Sequence, residues 1–153
     1  MNSIAKDVKQ IRDYLLFKEP EHFSAKRIVA AFFGALFLGL TFTLKGLLFE
    51  VSQAMSKQEV TLIIIGTIAI LTAEIYFVGY KRVRRKKQRK FGQFWIKRML
   101  AYYAIAIFVA TVLVHMYGLQ NFAVSQEHMI NMIIAVSLPC ATGAAAADLL
   151  EKY

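Results

Sequence analysis

Glu74 is the residue best placed to do chemistry. It stands in an apolar run, six positions before Tyr80. At ~1.5 Å per residue that puts it about 9 Å from the end of a helical span. The half-thickness of a bilayer's hydrocarbon is about 15 Å, so a glutamate there does not easily reach water. An ionised carboxylate at that depth needs a partner, a bound cation or a water-filled cavity, and without one it stays protonated. Glu74 is therefore a candidate cation or proton site. The alternative is a protonated carboxyl that hydrogen-bonds another helix, or a pair with a basic group near the interface. Thr67 lies seven residues earlier on almost the same face, with Thr61 further out. This polar line could form a path, or a packing seam whose hydroxyls bond their own backbone.

A second set of candidates lies near the C-terminal end. Ser137, Ala141, Ala144 and Asp148 follow i, i+4, i+7 and i+11, a narrow small-and-polar stripe that ends in a carboxylate. Pro139 removes a backbone donor, which predicts a kink and leaves a carbonyl near Ala135 as a potential cation ligand. A helix this poor in bulk either packs at the centre of a bundle or lines a pore or subunit interface. Ser137, Thr142 and Pro139 are pathway candidates beside Glu74. Asp148 is either an acidic exit or a solvated helix end. Glu50, Glu59 and Glu127, with His128, fall in or beside the outer turns. In an oligomer the carboxylates would make a cation-attracting mouth; otherwise they are ordinary loop charges. His115 is a candidate pH sensor, because histidine titrates around neutrality. The plainer reading is a hydrogen-bonded packing residue.

These side chains need long helices to position them. Hydrophobic residues make up 58% of the 153 and charged residues 19%, against about 45–50% and 25% in soluble domains. The excess falls into four blocks, about 28–49, 60–80, 99–119 and 129–147, each near the ~20 residues that cross a bilayer as a helix. The connections are too short for a sizeable soluble domain, which argues against most soluble enzyme folds and a nucleic-acid-binding domain. The fold class is all-α: a polytopic membrane protein with four transmembrane helices over 24–153 and an N-terminal amphipathic interfacial helix within 1–23. Ile4, Val8, Ile11 and Leu15 form the apolar stripe of that first helix. Ser56 and Glu59 have the spacing of a capping box, which starts the second span. The two hairpins match at an offset of 68 residues through Gln58-Glu59 and Gln126-Glu127. That fits a duplicated hairpin, although any four-span chain divides into two.

Charge sets the expected orientation. Of 19 Lys and Arg residues, ten lie between Lys81 and Arg98 and six precede the first span. Lys45 and Lys57 alone fall to the other side or the membrane, where Lys45 can snorkel outward. The positive-inside rule then places both termini and loop 81–98 in the cytoplasm of a plasma-membrane protein. Arg82, Arg84, Arg85, Lys86, Lys87, Arg89 and Lys90 are expected to meet anionic lipid headgroups rather than nucleic acid. No cleavable signal peptide is visible, so the first span would be its own insertion signal. The single cysteine, Cys140, has no intrachain partner. No hydrolase, phosphate-loop or paired-cysteine motif appears. The expectation is a protein that is not an enzyme and needs no cofactor, with the identity of any metal open.

The pattern Pro139-x-x-x-Gly143-Ala144-x-x-x-Asp148 resembles an uncharacterised family of prokaryotic predicted integral membrane proteins. The resemblance covers the last helix and implies no activity. The leading functional expectation is an oligomeric cation channel or cation-coupled transporter, with inorganic cations or protons as its ligands. Four helices make a thin wall for an enclosed path, so a homo-oligomer is expected. The alternative is a non-transporting scaffold that binds lipid or a partner through its basic loop.

Overall fold

The computed structural model describes residues 7–8, 25–80 and 91–150. The basic residues Arg82, Arg84, Arg85, Lys86, Lys87, Arg89 and Lys90 lie outside the described residues. So does the expected interfacial helix, apart from Asp7 and Val8, which are helical and exposed. The described residues form helices and no strand, as the all-α reading requires. α1 runs over Ala25–Leu44, a short α2 over Leu47–Ala54 and α3 over Lys57–Glu74. α4 is Phe91–Met116 and α5 is Gln126–Leu150. A 3₁₀ turn at Leu119–Phe122 joins the last two. Four of these segments are long and apolar enough to cross a membrane: Ala25–Leu44, Lys57–Val78, Gly92–Met116 and Gln126–Leu149.

The start of α3 is fixed locally. Ser56 Oγ accepts from the Glu59 amide at 3.3 Å, and Glu59 Oε2 accepts from the Ser56 amide at 2.7 Å. This is the expected capping box, and it satisfies two amides that the helix leaves free. Its other end changes geometry. Ile75–Gly79 forms a π-helical turn directly after Glu74, a widening of the ladder that recurs at functional sites.

α5 is the axis of the bundle. It packs most extensively against α1, then α4 and α3. Within the apolar window of each span, 61% of the α5 residues are buried but only 17% of those of α3. Small residues make this possible: Ala135, Ala141, Ala144 and Ala145 are all buried. Without a hydrophobic drive between helices in lipid, close van der Waals contact holds spans together, and small side chains permit it. The small stripe of α5 therefore packs at the bundle centre. The closest approach is between α1 and α5, where a methyl group on Gly34 would run into the Gly143 carbonyl and the Ala147 side chain. The outside is apolar in turn, with Phe33, Phe37, Leu62, Leu100 and Phe108 exposed, as a surface facing hydrocarbon must be.

Gly34→Val should therefore lower stability in detergent micelles by about 1–3 kcal/mol, the usual cost of overpacking. A Cβ on Gly66 meets nothing within 4 Å, so Gly66→Ala should show no loss. Thermal unfolding of the two variants side by side checks this.

Candidate functional site

One end of the bundle carries a buried ionic knot. Asp148, near the end of α5, is 1% exposed. Arg98 of α4 donates from Nη1 to Asp148 Oδ2 at 2.9 Å and to the Tyr102 hydroxyl at 3.0 Å. The Tyr102 hydroxyl donates to the same carboxylate oxygen. Arg98 and Tyr102 are one turn apart, so they reach one point from the same face. Arg27 of α1 brings Nε within 3.8 Å of Asp148 Oδ1, an ion pair too long for a hydrogen bond. Phe94 supports the knot from below, its ring centroid 4.4 Å from the Arg98 guanidinium, within cation–π range. Three spans thus meet on one carboxylate. Among the described residues two guanidiniums face one carboxylate, a net positive charge. Arg27 Nη1 and Asp148 Oδ1 are buried without a hydrogen bond.

Glu74 is different. It lies beside the inward face of α3 and the π turn that follows, where Thr67, Leu71 and Ile75 are buried. Its residue is half-buried, and its Oε2 is buried with no hydrogen-bond partner. Two residues before it, Thr72 accepts from Trp95 Nε1 at 2.9 Å, which ties α3 to α4 at this level. Among the described residues no group of three or more His, Cys, Asp or Glu side chains comes together.

The other pathway candidates are placed as follows. Thr67 Oγ1 donates to the Ile63 carbonyl at 2.7 Å and Ser137 Oγ to that of Ile134 at 2.7 Å. Thr142 Oγ1 donates to the Leu138 carbonyl at 3.1 Å. Each hydroxyl hydrogen returns to its own helix, leaving only oxygen lone pairs for anything else. Thr67 and Ser137 are buried. Pro139 is buried inside α5 and, with Thr142, lines an apolar cavity.

At the opposite end, Glu50, Glu59 and Glu127 are exposed, each in the first turn of a different helix. Lys57 and Glu127 approach to 3.9 Å, both exposed, a pair worth little to stability. His115 is exposed and its Nδ1 lies 2.8 Å from the Thr111 carbonyl, so that nitrogen carries the proton. His128 is buried, with Nε2 3.1 Å from Ser52 Oγ. This distance resembles a nucleophile–base pair, but the bonds run the wrong way. His128 Nδ1 accepts from the Val124 amide at 3.2 Å, and Ser52 Oγ donates to the Phe49 carbonyl at 2.9 Å. Neutral His128 must then donate from Nε2 to Ser52, whereas a general base must accept there. The pair clasps α2 to the start of α5.

The partners of Asp148 escaped the sequence reading. Arg98 closes a run of topological charge, and its one usable signal is the i, i+4 spacing to Tyr102. Arg27 and Ser52 carry no such signal. In comparison with known proteins, the sequence model of the DUF2391 integral membrane protein family matches residues 6–150. No curated protein and no solved structure matches the chain.

Replacing Asp148 by Leu leaves two buried guanidiniums uncompensated and should cost about 3–5 kcal/mol. Tyr102→Phe removes a hydrogen bond to a charged group and should cost about 1.5–3 kcal/mol. Adding Arg98→Met to Asp148→Leu should recover part of the loss. Unfolding of the purified variants in micelles reads all three.

Proposed function

The chain belongs to the DUF2391 family of integral membrane proteins, and on that premise we propose that it is an oligomeric cation channel or cation-coupled transporter. In this reading Glu74 is the intramembrane carboxylate that binds the cation or proton. The observation that carries it is the buried, unpartnered Oε2 of Glu74 within a membrane-crossing segment. Such a group is costly in hydrocarbon, and cation or proton binding removes the cost. The contrast with Asp148 supports the assignment, since that carboxylate is already compensated by Arg98 and Arg27. Asp148 then fixes one end of the bundle, while Thr67 and Ser137, buried with their hydroxyls bonded to their own helices, pack its interior.

Among the described residues Glu74 is not part of any cluster of three or more His, Cys, Asp or Glu side chains. Its helix is also the least buried of the four spans. A second copy packed on α3 would complete the site, which favours a homo-oligomer. The positive-inside rule puts the knot at the cytoplasmic end, with both termini inside. It puts Glu50, Glu59 and Glu127 at the outer face, where a ring of protomers would concentrate cations. The inverted polarity of the Ser52–His128 bonds removes that pair as a nucleophile and general base.

Purified protein in liposomes should pass one or more of K⁺, Na⁺, Ca²⁺ and H⁺, and Glu74→Gln should abolish that flux while the protein still assembles. Flux that survives the substitution removes Glu74 from the pathway. No flux of any ion, from assembled protein of verified orientation, favours a scaffold that works through its basic loop.

A further inference from the structure

Between α1, α3 and α5 lies a cavity of about 330 Å³, bounded by Leu38, Phe42, Met55, Ile63, Leu138 and Thr142 among others. That volume is at the lower end of the ~300–1,000 Å³ of ligand sites. A second cavity of about 450 Å³ shares Met55 and Ile63 with it and continues past Leu62 to Glu59. Together they make one groove that starts within the membrane-crossing segments and rises to the outer turns. Its walls are open to the surroundings: Phe42 is 43% and Leu62 66% exposed.

The walls decide what fits. An apolar cavity stays dry and accepts apolar guests. Thr142, the polar residue of the inner cavity, has its hydroxyl hydrogen committed to the Leu138 carbonyl. Nothing there replaces the hydration shell of an inorganic ion. The medium around this part of the chain is hydrocarbon, so the guest at hand is an acyl chain. The rim supplies a charge. Lys45 holds Nζ 5.7 Å from the centroid of the Phe42 ring, which is itself a wall of the groove. An ammonium is a compact point charge suited to a phosphate. Glu59, the carboxylate nearby, faces its own helix start, where Oε2 accepts from the amide and hydroxyl of Ser56.

We propose that this groove binds one acyl chain of a phospholipid whose phosphate lies at Lys45. The site is separate from Glu74 and stands or falls independently of cation flux. Its pocket is formed by spans 1, 2 and 4 with the turn at Met55, so a bound chain would fill the gap between α1 and α3.

The test is photolabelling of the full chain in phosphatidylcholine vesicles that contain a phospholipid with a mid-chain diazirine, with adducts mapped by mass spectrometry. In the unaltered protein the adducts should concentrate on Leu38, Ile63 and Leu138. Ile63→Trp, which fills the groove, should lower them about tenfold, the factor given by ~1.4 kcal/mol of lost affinity. Ile65→Trp, on the exposed face of the same helix, should not. Lys45→Ala should lower groove adducts severalfold. Adducts spread evenly over Phe33, Ile65 and Phe108 would mean annular lipid only and overturn the site, a result that needs no variant to fold. A diazirine fatty acid that labels the groove as strongly, with no effect of Lys45→Ala, would overturn the phospholipid assignment.

Discussion

A carboxylate removed from water must be compensated where it stands, and Asp148 organises the bundle around that need. Its charge is met by Arg98, Tyr102 and Arg27, which come from two other spans. For those spans to reach it, α5 must lie at the centre and their backbones must come close. The alanines of α5 and the glycine contact between Gly34 and Gly143 allow this. Larger side chains there would hold α1 away and leave Asp148 with a single guanidinium. Small-residue packing and the ionic knot are thus two sides of one constraint, since each is tolerable only with the other in place.

The knot also separates two carboxylates that look alike in composition. Asp148 is spent on architecture. Glu74 stands on the least buried span with one oxygen buried and unpartnered, at the point where the helix widens into a π turn. Fixed charge at the centre and an open carboxylate at the periphery suit the proposed ion site between copies. A pore along the axis of one bundle has no room, because Ala106, Val109, Leu113, Val136 and Ala141 fill it.

Much of this was legible in the sequence. The four apolar blocks, the all-α class, the capping box at Ser56 and the small face of the last helix follow from periodicity and composition, which are local. The pairings were not. Arg98 and Asp148 are 50 positions apart, and only the rotation of two helices about their axes brings them together. Arg98 was also masked by its neighbours, since a basic run read for topology gives no sign that its last member turns inward. The Ser52–His128 clasp depends on a short helix between the first two spans, which the apolar run through Leu47, Leu48 and Phe49 hides. The π turn after Glu74 has no composition signal at all. Sequence located the carboxylates; only packing distinguished the compensated one from the open one.

The most direct test of that distinction is cation-induced difference infrared spectroscopy of the reconstituted protein in the carboxyl stretch region. Raising the concentration of K⁺, Na⁺ or Ca²⁺ should produce a carboxyl difference band that disappears in Glu74→Gln, because Asp148 stays paired throughout. A band that persists unchanged in Glu74→Gln would mean that another carboxylate meets the ion, and would contradict the account.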